Sequence, residues 1–378
     1  MFDFPIKEPT VGTSIYCLFF YLAILLANYK YGLKSPFTRS VSSSRIKWTL
    51  FFIGLFFITH CLKGDFFHMM EHVYDYSAIS GAYNFGEEIY PQIGLFVGKN
   101  YLLFRTIVWG GAFALFCLTA KRMNVPVYYA AVLLLATHSV IFCYARATAA
   151  MAVYFFGLSF LCSPLKGKTW LSYIIGVFII ILSTEFHRSA IIMVVMTIMI
   201  LVPIRKWSIL LLLVLLPVLS VVFKDLLTAV ALSESTDAML ANKIQSYSDR
   251  ELNHGISGTI IMFLEYASFY IPAILIAMSI FINNRIKKVP TEILSMFKVA
   301  FGLVVVSILF FFMGSSYVTF VYRVLFMSMI PQTIVIVKLY QCNLMSHKYL
   351  LGCIYSGIAY CLVKYVYTIY DVYVNLPI

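Results

Sequence analysis

The chain has 378 residues, of which 62% are hydrophobic and only 12% are charged. A soluble domain carries roughly 25% charged residues, so this composition excludes a water-soluble fold and indicates a protein surrounded by lipid. The formal net charge of +12 follows membrane topology along the chain, so no nucleic-acid partner is predicted. The N-terminal residues have neither a basic stretch nor a small-residue cleavage site, so we expect no removable signal peptide.

Twelve apolar segments follow one another along the chain. They predict an all-α polytopic membrane protein with about 12 transmembrane helices, forming a single transmembrane domain over residues 1–378 with long outer loops at 64–99 and 224–257. Several segments have a length of about 17 residues rather than 20. In an alternative interpretation, the neighbouring spans around Arg146 and around 185–188 therefore merge into one span or re-enter the membrane. The candidate spans are residues 12–29, 47–63, 100–120, 126–144, 146–163, 169–185, 188–204, 207–223, 258–282, 297–314, 317–338 and 348–368.

Lys and Arg concentrate in every second connection, and the intervening connections hold nearly all of the carboxylates. By the positive-inside rule the basic connections face the cytoplasm, which places both termini outside. Only Glu292 lies on the basic side. The basic connections contain Lys30, Lys34, Arg39, Arg45 and Lys47; Lys121 and Arg122; Lys166 and Lys168; Arg205 and Lys206; Arg285, Lys287, Lys288 and Lys298; and Lys338 and Lys348.

The sequence offers no nucleotide site, since the cytoplasmic connections are short and neither Gly-x-x-x-x-Gly-Lys nor Gly-x-Gly-x-x-Gly occurs. The eight cysteines are scattered without a Cys-x-x-Cys pair, so neither a disulfide framework nor a thiolate metal site is predicted. His68, Glu71 and His72 have the spacing of one zinc-protease class. No third ligand is evident, and an amphipathic loop helix is the favoured interpretation. We therefore expect neither a cofactor nor a metal.

Ionisable residues lie in or beside the apolar spans, where a central charge costs about 2.5–3.5 kcal/mol on insertion scales. The predicted topology places most of them near the outer ends of their helices, so one outward-facing cavity could collect them. Guanidinium groups bind phosphate oxygens through paired hydrogen bonds, so clustered arginines predict a phosphate or pyrophosphate site. In the alternative, each arginine snorkels to the interface or pairs with a carboxylate. These residues are Arg105, Arg146, Glu185, His187, Arg188, Glu265, Arg323 and Lys364.

His187 stands between Glu185 and Arg188 at one predicted outer turn. A neutral imidazole can accept the proton of an attacking hydroxyl, so His187 is the candidate base, with Glu185 as its partner or substitute. The alternative is a polar interfacial turn between two short helices.

Tyrosines are frequent in the first outer loop, and interfacial anchoring is the favoured explanation for them. A sharper interpretation is that they bind sugars together with nearby carboxylates. The tyrosines are Tyr74, Tyr76, Tyr83 and Tyr90, and the carboxylates are Asp65, Asp75 and Glu88.

Short motifs along the chain carry a family resemblance. They are Gly64-Asp65 before a Tyr-rich stretch, Glu87-Glu88-Ile89-Tyr90-Pro91 leading to Asn100 and Arg105, Arg146 followed by Ala-Thr-Ala-Ala-Met-Ala, Phe186-His187-Arg188-Ser189-Ala190, and Tyr322-Arg323. From about residue 50 to 340, this pattern resembles the EpsG-type members of the Wzy polysaccharide polymerases. It departs from the family at Phe66, Phe67 and His68, where a tyrosine is expected, and at Glu87-Glu88, which replaces Glu-Pro.

The resemblance implies an enzyme that joins oligosaccharide repeat units carried on undecaprenyl pyrophosphate into O-antigen, capsule or exopolysaccharide at the outer face of the bacterial cytoplasmic membrane. It implies a glycosyltransferase C-like architecture and a transfer reaction that needs no metal. The implied partners are the lipid-linked oligosaccharide as donor and acceptor, membrane lipids, a chain-length regulator and a flippase. The expected site contains His187 and Glu185 as catalytic residues, Arg146, Arg188, Arg323 and Arg105 on the pyrophosphate, and Asp65, Glu88, Tyr90 and Asp75 on the sugars.

Two other functions fit the same features. An O-antigen ligase or another polyprenyl-linked glycosyltransferase would use the same chemistry with a different acceptor. A flippase or an ion-coupled carrier would place its charges near the bilayer midplane, often on broken helices, and Glu265 with Pro272 in one span favours it. The outer position of the other charges favours the polymerase.

Overall fold

The computed structural model describes residues 11–60, 77–81, 88–98, 100–140, 142, 145–205, 214–225, 256–314 and 318–375. Within these ranges every regular element is helical and no strand occurs, so the predicted all-α class is confirmed. In lipid a helix satisfies its own backbone hydrogen bonds, which is why apolar runs of this kind become helices. The helices are α1 Val11–Asn28, α2 Ser43–Thr59, α3 Ile89–Phe96, α4 Tyr101–Arg122, α5 Val127–His138, α6 Ala145–Cys162, α7 Thr169–Leu182, α8 Ile191–Met196, α9 214–225, α10 Ile256–Phe281, α11 Thr291–Phe312, α12 Val318–Met327, α13 Met329–Gln341 and α14 His347–Asn375.

Each of the twelve predicted spans overlaps at least one of these helices, and the span at 317–338 overlaps both α12 and α13. Not all of the helices are long enough to cross a bilayer alone. In the described part of the chain, five helices are long and apolar enough: Ile15–Leu33, Tyr101–Arg122, Thr259–Phe281, Thr291–Phe312 and His347–Tyr370. A sixth span forms if Val321–Met327 and Met329–Gln341, which meet at 41°, are counted together. The shorter apolar helices are Val127–His138, Arg146–Cys162, Thr169–Glu185 and Arg188–Ile200.

The centre of the bundle is formed by α5 and α13. In α5 every residue from Ala130 to His138 is buried, and α13 is buried from Met329 to Val337. A helix that is apolar on all sides belongs in the interior of a bundle. The long helix α14 passes close beside α5, because Gly357 lies against Thr137 where a Cβ would be only 2.5 Å from the Thr137 Cβ.

The basic connections meet at one end of the bundle. Their cationic side chains donate hydrogen bonds to backbone carbonyls, which is favourable at the negative end of a helix dipole. Phe37, in the first basic connection, packs on Tyr129 and Tyr340, with ring centroids 4.2 and 5.9 Å away. The hydrogen bonds are Arg45 Nη1 to Ala27 O at 3.2 Å, Arg122 Nη2 to Ser163 O at 2.8 Å, Arg285 Nη1 to Leu344 O at 3.0 Å, Lys298 Nζ to Ile200 O at 2.9 Å and Lys338 Nζ to Asn124 O at 2.8 Å. These contacts link all six basic connections into one set.

Helices α6 and α7 cross at two glycines, which allow their backbones to approach closely, as small residues do between membrane helices. A Cβ on Gly157 would lie 3.0 Å from the Gly176 carbonyl oxygen and from the Ile179 Cβ. A backbone oxygen cannot rotate away as a side chain can, so this contact sets the spacing of the two helices.

We expect Gly157→Val to push α6 and α7 apart and to lower stability by about 1–3 kcal/mol, the usual cost of overpacking. The measurement is the melting temperature of the purified protein in detergent. Gly111→Ala in α4 is the matched control, since a Cβ there meets nothing within 4 Å. Equal melting temperatures for the two variants would show that the crossing does not depend on Gly157.

Candidate functional site

A second hydrophobic cluster lies beside the main core and joins four parts of the chain. Its buried members come from a short turn at 77–80, from α3, from the first half of α4 and from the start of α6, and Phe186 packs against it. Because Phe186 lies between Glu185 and His187, the predicted outer turn rests on this cluster. The buried members are Ala78, Ile79, Tyr90, Val97, Phe104, Val108, Trp109 and Ala149.

Arg146 lies at the same end of the α6–α7 pair as the turn that contains His187. At 1.5 Å per residue, Arg146 precedes Gly157 by about 16 Å along α6. Glu185 follows Gly176 by about 14 Å along α7 and the turn after it. The two helices run antiparallel, and α6 also contacts the turns on both sides of Phe186. Helix α6 and the His187 turn are therefore in contact, with Arg146 at the same end of α6 as that turn, and a shared site for these residues stays a prediction.

The turn itself consists of two short 3-10 segments, Ser183–Glu185 and Arg188–Ala190, with His187 extended between them at φ −161° and ψ 120°. Ser183 and Ala190 are buried and anchor the two ends. Glu185 and His187 are half-buried, whereas Arg188 is exposed. An acid, an imidazole and a guanidinium thus occupy one chain reversal, where a substrate could contact all three.

Arg105 is buried and bonded to the protein itself, with only 2% of its surface exposed. Its Nε donates to the Ile58 carbonyl at 2.9 Å, its Nη2 to the His60 carbonyl at 2.7 Å and its Nη1 to the Tyr101 hydroxyl at 3.2 Å. The guanidinium also lies 4.7 Å from the centre of the Trp109 ring. Arg105 therefore ties the end of α2 to α4.

A chain of buried polar groups that the sequence interpretation missed continues from this point. His60 Nε2 and the Tyr365 hydroxyl are 2.9 Å apart, and the Tyr365 hydroxyl donates to Ser139 Oγ at 3.5 Å. Ser139 Oγ in turn donates to the Cys361 sulfur at 3.5 Å. The only sequence signal was a single histidine at the end of an apolar span. The network joins the ends of α2 and α5 to α14.

Arg105→Ala is expected to destabilise the fold, because the carbonyls of Ile58 and His60 lose a donor in a buried place. Each buried group left unsatisfied costs about 1–3 kcal/mol. The measurement is thermal unfolding in detergent, with Arg188→Ala as the control because that side chain is exposed. If Arg105→Ala melts like Arg188→Ala, the carbonyl contacts do not stabilise the fold.

The residues predicted to contact sugar differ in their exposure to the surroundings of the protein. Glu88 is exposed at the start of α3. Tyr90 is fully buried, with its ring edge-on to Phe104 at 5.2 Å, so in this structure its ring packs within the second cluster. Asp65 and Asp75 lie outside the described residues, and so do His68, Glu71 and His72.

Arg323 is exposed on α12. Helix α11 contacts α12, and it also contacts α6, which packs on the His187 turn, and α8, which follows that turn. Next to Arg323, the Tyr322 hydroxyl donates to Glu265 Oε2 on α10. This bond between two spans was not foreseen from the sequence.

A sequence profile of the EpsG family matches residues 93–376. The matched segment includes Arg105, Arg146, the His187 turn and Arg323, and it begins after Glu88 and Tyr90. No curated protein and no solved structure matches the chain.

Proposed function

The chain belongs to the EpsG family of Wzy-type polysaccharide polymerase-like proteins, and on this premise we propose that it is a glycosyltransferase acting on lipid-linked oligosaccharides. It joins repeat units carried on undecaprenyl pyrophosphate into O-antigen, capsule or exopolysaccharide. The reaction takes place at the outer face of the bacterial cytoplasmic membrane. The donor carries its own leaving group, so the reaction needs no nucleotide, and the family resemblance implies that it needs no metal.

The observation that carries this proposal is the turn of Glu185, His187 and Arg188 at the same end of the α6–α7 pair as Arg146. In the reaction, the acceptor hydroxyl oxygen bonds to the anomeric carbon of the donor. The bond from that carbon to the pyrophosphate oxygen breaks, and the electron pair leaves with the pyrophosphate. His187, oriented or replaced by Glu185, takes the hydroxyl proton.

The arginines act on the leaving group. Negative charge grows on the bridging oxygen in the transition state, and fixed cationic donors stabilise it there more than in the ground state. Arg146, Arg188 and Arg323 are assigned to this task. Arg105 is assigned to positioning instead, since its donors hold carbonyls of α2.

The sugar-binding side is assigned to the first outer loop. Asp65, Asp75 and Glu88 are assigned to the sugars, and Glu88 is exposed at the start of α3. Tyr90 is assigned to the same side, and its ring packs on Phe104. The lipid-linked oligosaccharide is both donor and acceptor, and a chain-length regulator and a flippase act with the enzyme.

We also propose that all twelve helical segments cross the membrane in a glycosyltransferase C-like arrangement, with both termini outside. The support is the set of contacts that joins the six basic connections at one end. Between two such connections the chain must leave that end and return. The shorter helices then cross together with the turns and irregular segments beside them.

A carrier for the same lipid is the second candidate. The observation that favours it is Glu265, a buried acid on α10, which contains Pro272 and also packs against α14. A carrier has no need of a base and arginines at one outer turn, which is why the polymerase is favoured. A ligase shares the polymerase chemistry and differs in its acceptor.

Deletion of the gene distinguishes these functions in cells. Without a polymerase, single repeat units accumulate on the lipid anchor, and adding back the wild-type protein restores a ladder of lengths on a gel. If the deletion strain instead carries no single repeat units on that anchor, the protein is a ligase. Accumulation of repeats on the cytoplasmic face would indicate a flippase.

A further inference from the structure

Glu265 is a buried acid that the proposed reaction leaves without a task. Only 2% of its surface is exposed, and it lies well inside α10. Carboxylates in such places are expensive and usually functional. Lys364 on α14, which is 5% exposed, is close enough to act on its charge, and Tyr360 lies beside it. Glu265 thus has a cation beside it, and its carboxyl oxygens accept hydrogen bonds.

The partner of this acceptor is Tyr322, the residue before Arg323. The Tyr322 hydroxyl donates to Glu265 Oε2, and the Tyr322 ring lies 6.3 Å from the ring of Tyr266, the next residue on α10. Consecutive residues of a helix point about 100° apart. A bond that turns Tyr322 toward α10 therefore also fixes the direction in which Arg323 points.

Helix α12 needs such a constraint because it is short. It has ten residues, and it meets α13 at Ser328 with a bend of 41°. A helix of this length has little stability of its own, so contacts with its neighbours decide its rotation. Tyr322 provides the side-chain hydrogen bond that joins it to α10.

The polar groups around Glu265 are not arranged for stability alone. Glu265 Oε1 and the Tyr266 hydroxyl are both buried and have no hydrogen-bond partner among the residues that the structure describes. Unsatisfied buried groups of this kind are rare in proteins and call for an explanation. Because the Glu265 carboxyl is kept in the interior with one oxygen unsatisfied within the described part of the chain, we look for its role in the positions of the residues around it.

We propose that Glu265 is a positioning residue for the transfer reaction, acting through Tyr322 to hold Arg323 against the pyrophosphate. This inference rests on the proposed function. The Arg323 guanidinium would touch the substrate, whereas Glu265 and Tyr322 act only through it. A displacement of about 1 Å in such a group can cost on the order of 10²-fold in rate.

The test compares Tyr322→Phe, Arg323→Ala and the variant with both changes, all purified in nanodiscs. The probe is a sugar-free polyprenyl pyrophosphate, with the polyprenyl monophosphate as its reference, so binding is measured independently of polymerisation. Tyr270→Phe is the matched control, because Tyr270 lies on α10 with Glu265 and its hydroxyl is 3.2 Å from Ser307 Oγ on α11. Melting temperatures confirm that each variant is folded.

We expect Tyr322→Phe to weaken pyrophosphate binding nearly as much as Arg323→Ala, and the double variant to be no weaker than Arg323→Ala alone. A double change of Glu265→Ala with Lys364→Met removes the acceptor of the Tyr322 hydroxyl and leaves no lone charge, and it should weaken binding about as much as Tyr322→Phe does. Tyr270→Phe should bind as wild type.

Two results would overturn the inference and are distinguishable. If Arg323→Ala weakens binding but Tyr322→Phe binds as Tyr270→Phe does, or if the losses in the double variant multiply, Glu265 does not act through Arg323 although the proposed site stands. If the wild-type protein does not prefer the pyrophosphate lipid to the monophosphate, the arginine site of the proposed function fails, and the inference fails with it.

Discussion

Replacing Arg188 or Arg146 by alanine is expected to lower the polymerisation rate about 10²–10³-fold, the usual effect of removing one fixed donor from a developing negative charge. Arg188 gives the clearer result, because its exposed side chain contributes little to stability. Arg188→Lys should also fail, since an ammonium cannot bind two phosphate oxygens in the way a guanidinium does. The measurement is the initial rate of chain growth at equal amounts of folded protein.

Lys166→Ala is the matched control for this prediction. Lys166 is an exposed cation at the opposite end of the same helix pair, between α6 and α7, and its loss should leave the rate unchanged. Normal polymerisation by both Arg146→Ala and Arg323→Ala in cells, at wild-type protein levels, would show that the pyrophosphate assignment is wrong.

His187→Ala is expected to lower the rate about 10²–10⁴-fold, which is the usual contribution of a general base. His187 is half-buried in an extended position between two 3-10 turns, so its removal should leave the fold intact. Single-turnover rates with bound donor separate the chemical step from lipid binding. His347→Ala, an exposed histidine at the basic end, serves as the control.

Glu185→Gln decides which group takes the proton. A smaller loss for Glu185→Gln than for His187→Ala assigns the base to His187, with Glu185 orienting it. A loss confined to Glu185→Gln assigns the base to the carboxylate. Wild-type rates for both variants would remove this turn from the reaction.

The helices were predictable from the sequence because an apolar run in lipid has few alternatives to a helix. Segment ends were harder to predict. The span proposed at 126–144 forms a helix only to His138, and the one at 317–338 bends at Ser328. The number of crossings depends on how these short helices are counted, and within the described ranges length and composition alone support five or six.

The turn from Glu185 to Arg188 was predictable because its residues are adjacent in sequence, and its role in a site stays a prediction. Contacts between distant segments were not predictable. The sequence marks Arg105 and Glu265 as unusual charges in apolar spans. Only the fold shows that Arg105 holds carbonyls 47 and 45 residues away and that Glu265 accepts from Tyr322, 57 residues further on. Tyr90 likewise reads as a surface tyrosine until its packing on Phe104 is seen.

The most direct test of a metal-independent polymerase uses purified protein in nanodiscs, its lipid-pyrophosphate repeat unit and EDTA. We expect a ladder of polymer lengths without nucleotide or metal, and no ladder from His187→Ala or Arg146→Ala. If the folded wild-type protein makes no ladder but moves the lipid across a vesicle bilayer, the protein is a transporter and the arginines form a binding site rather than a catalytic one.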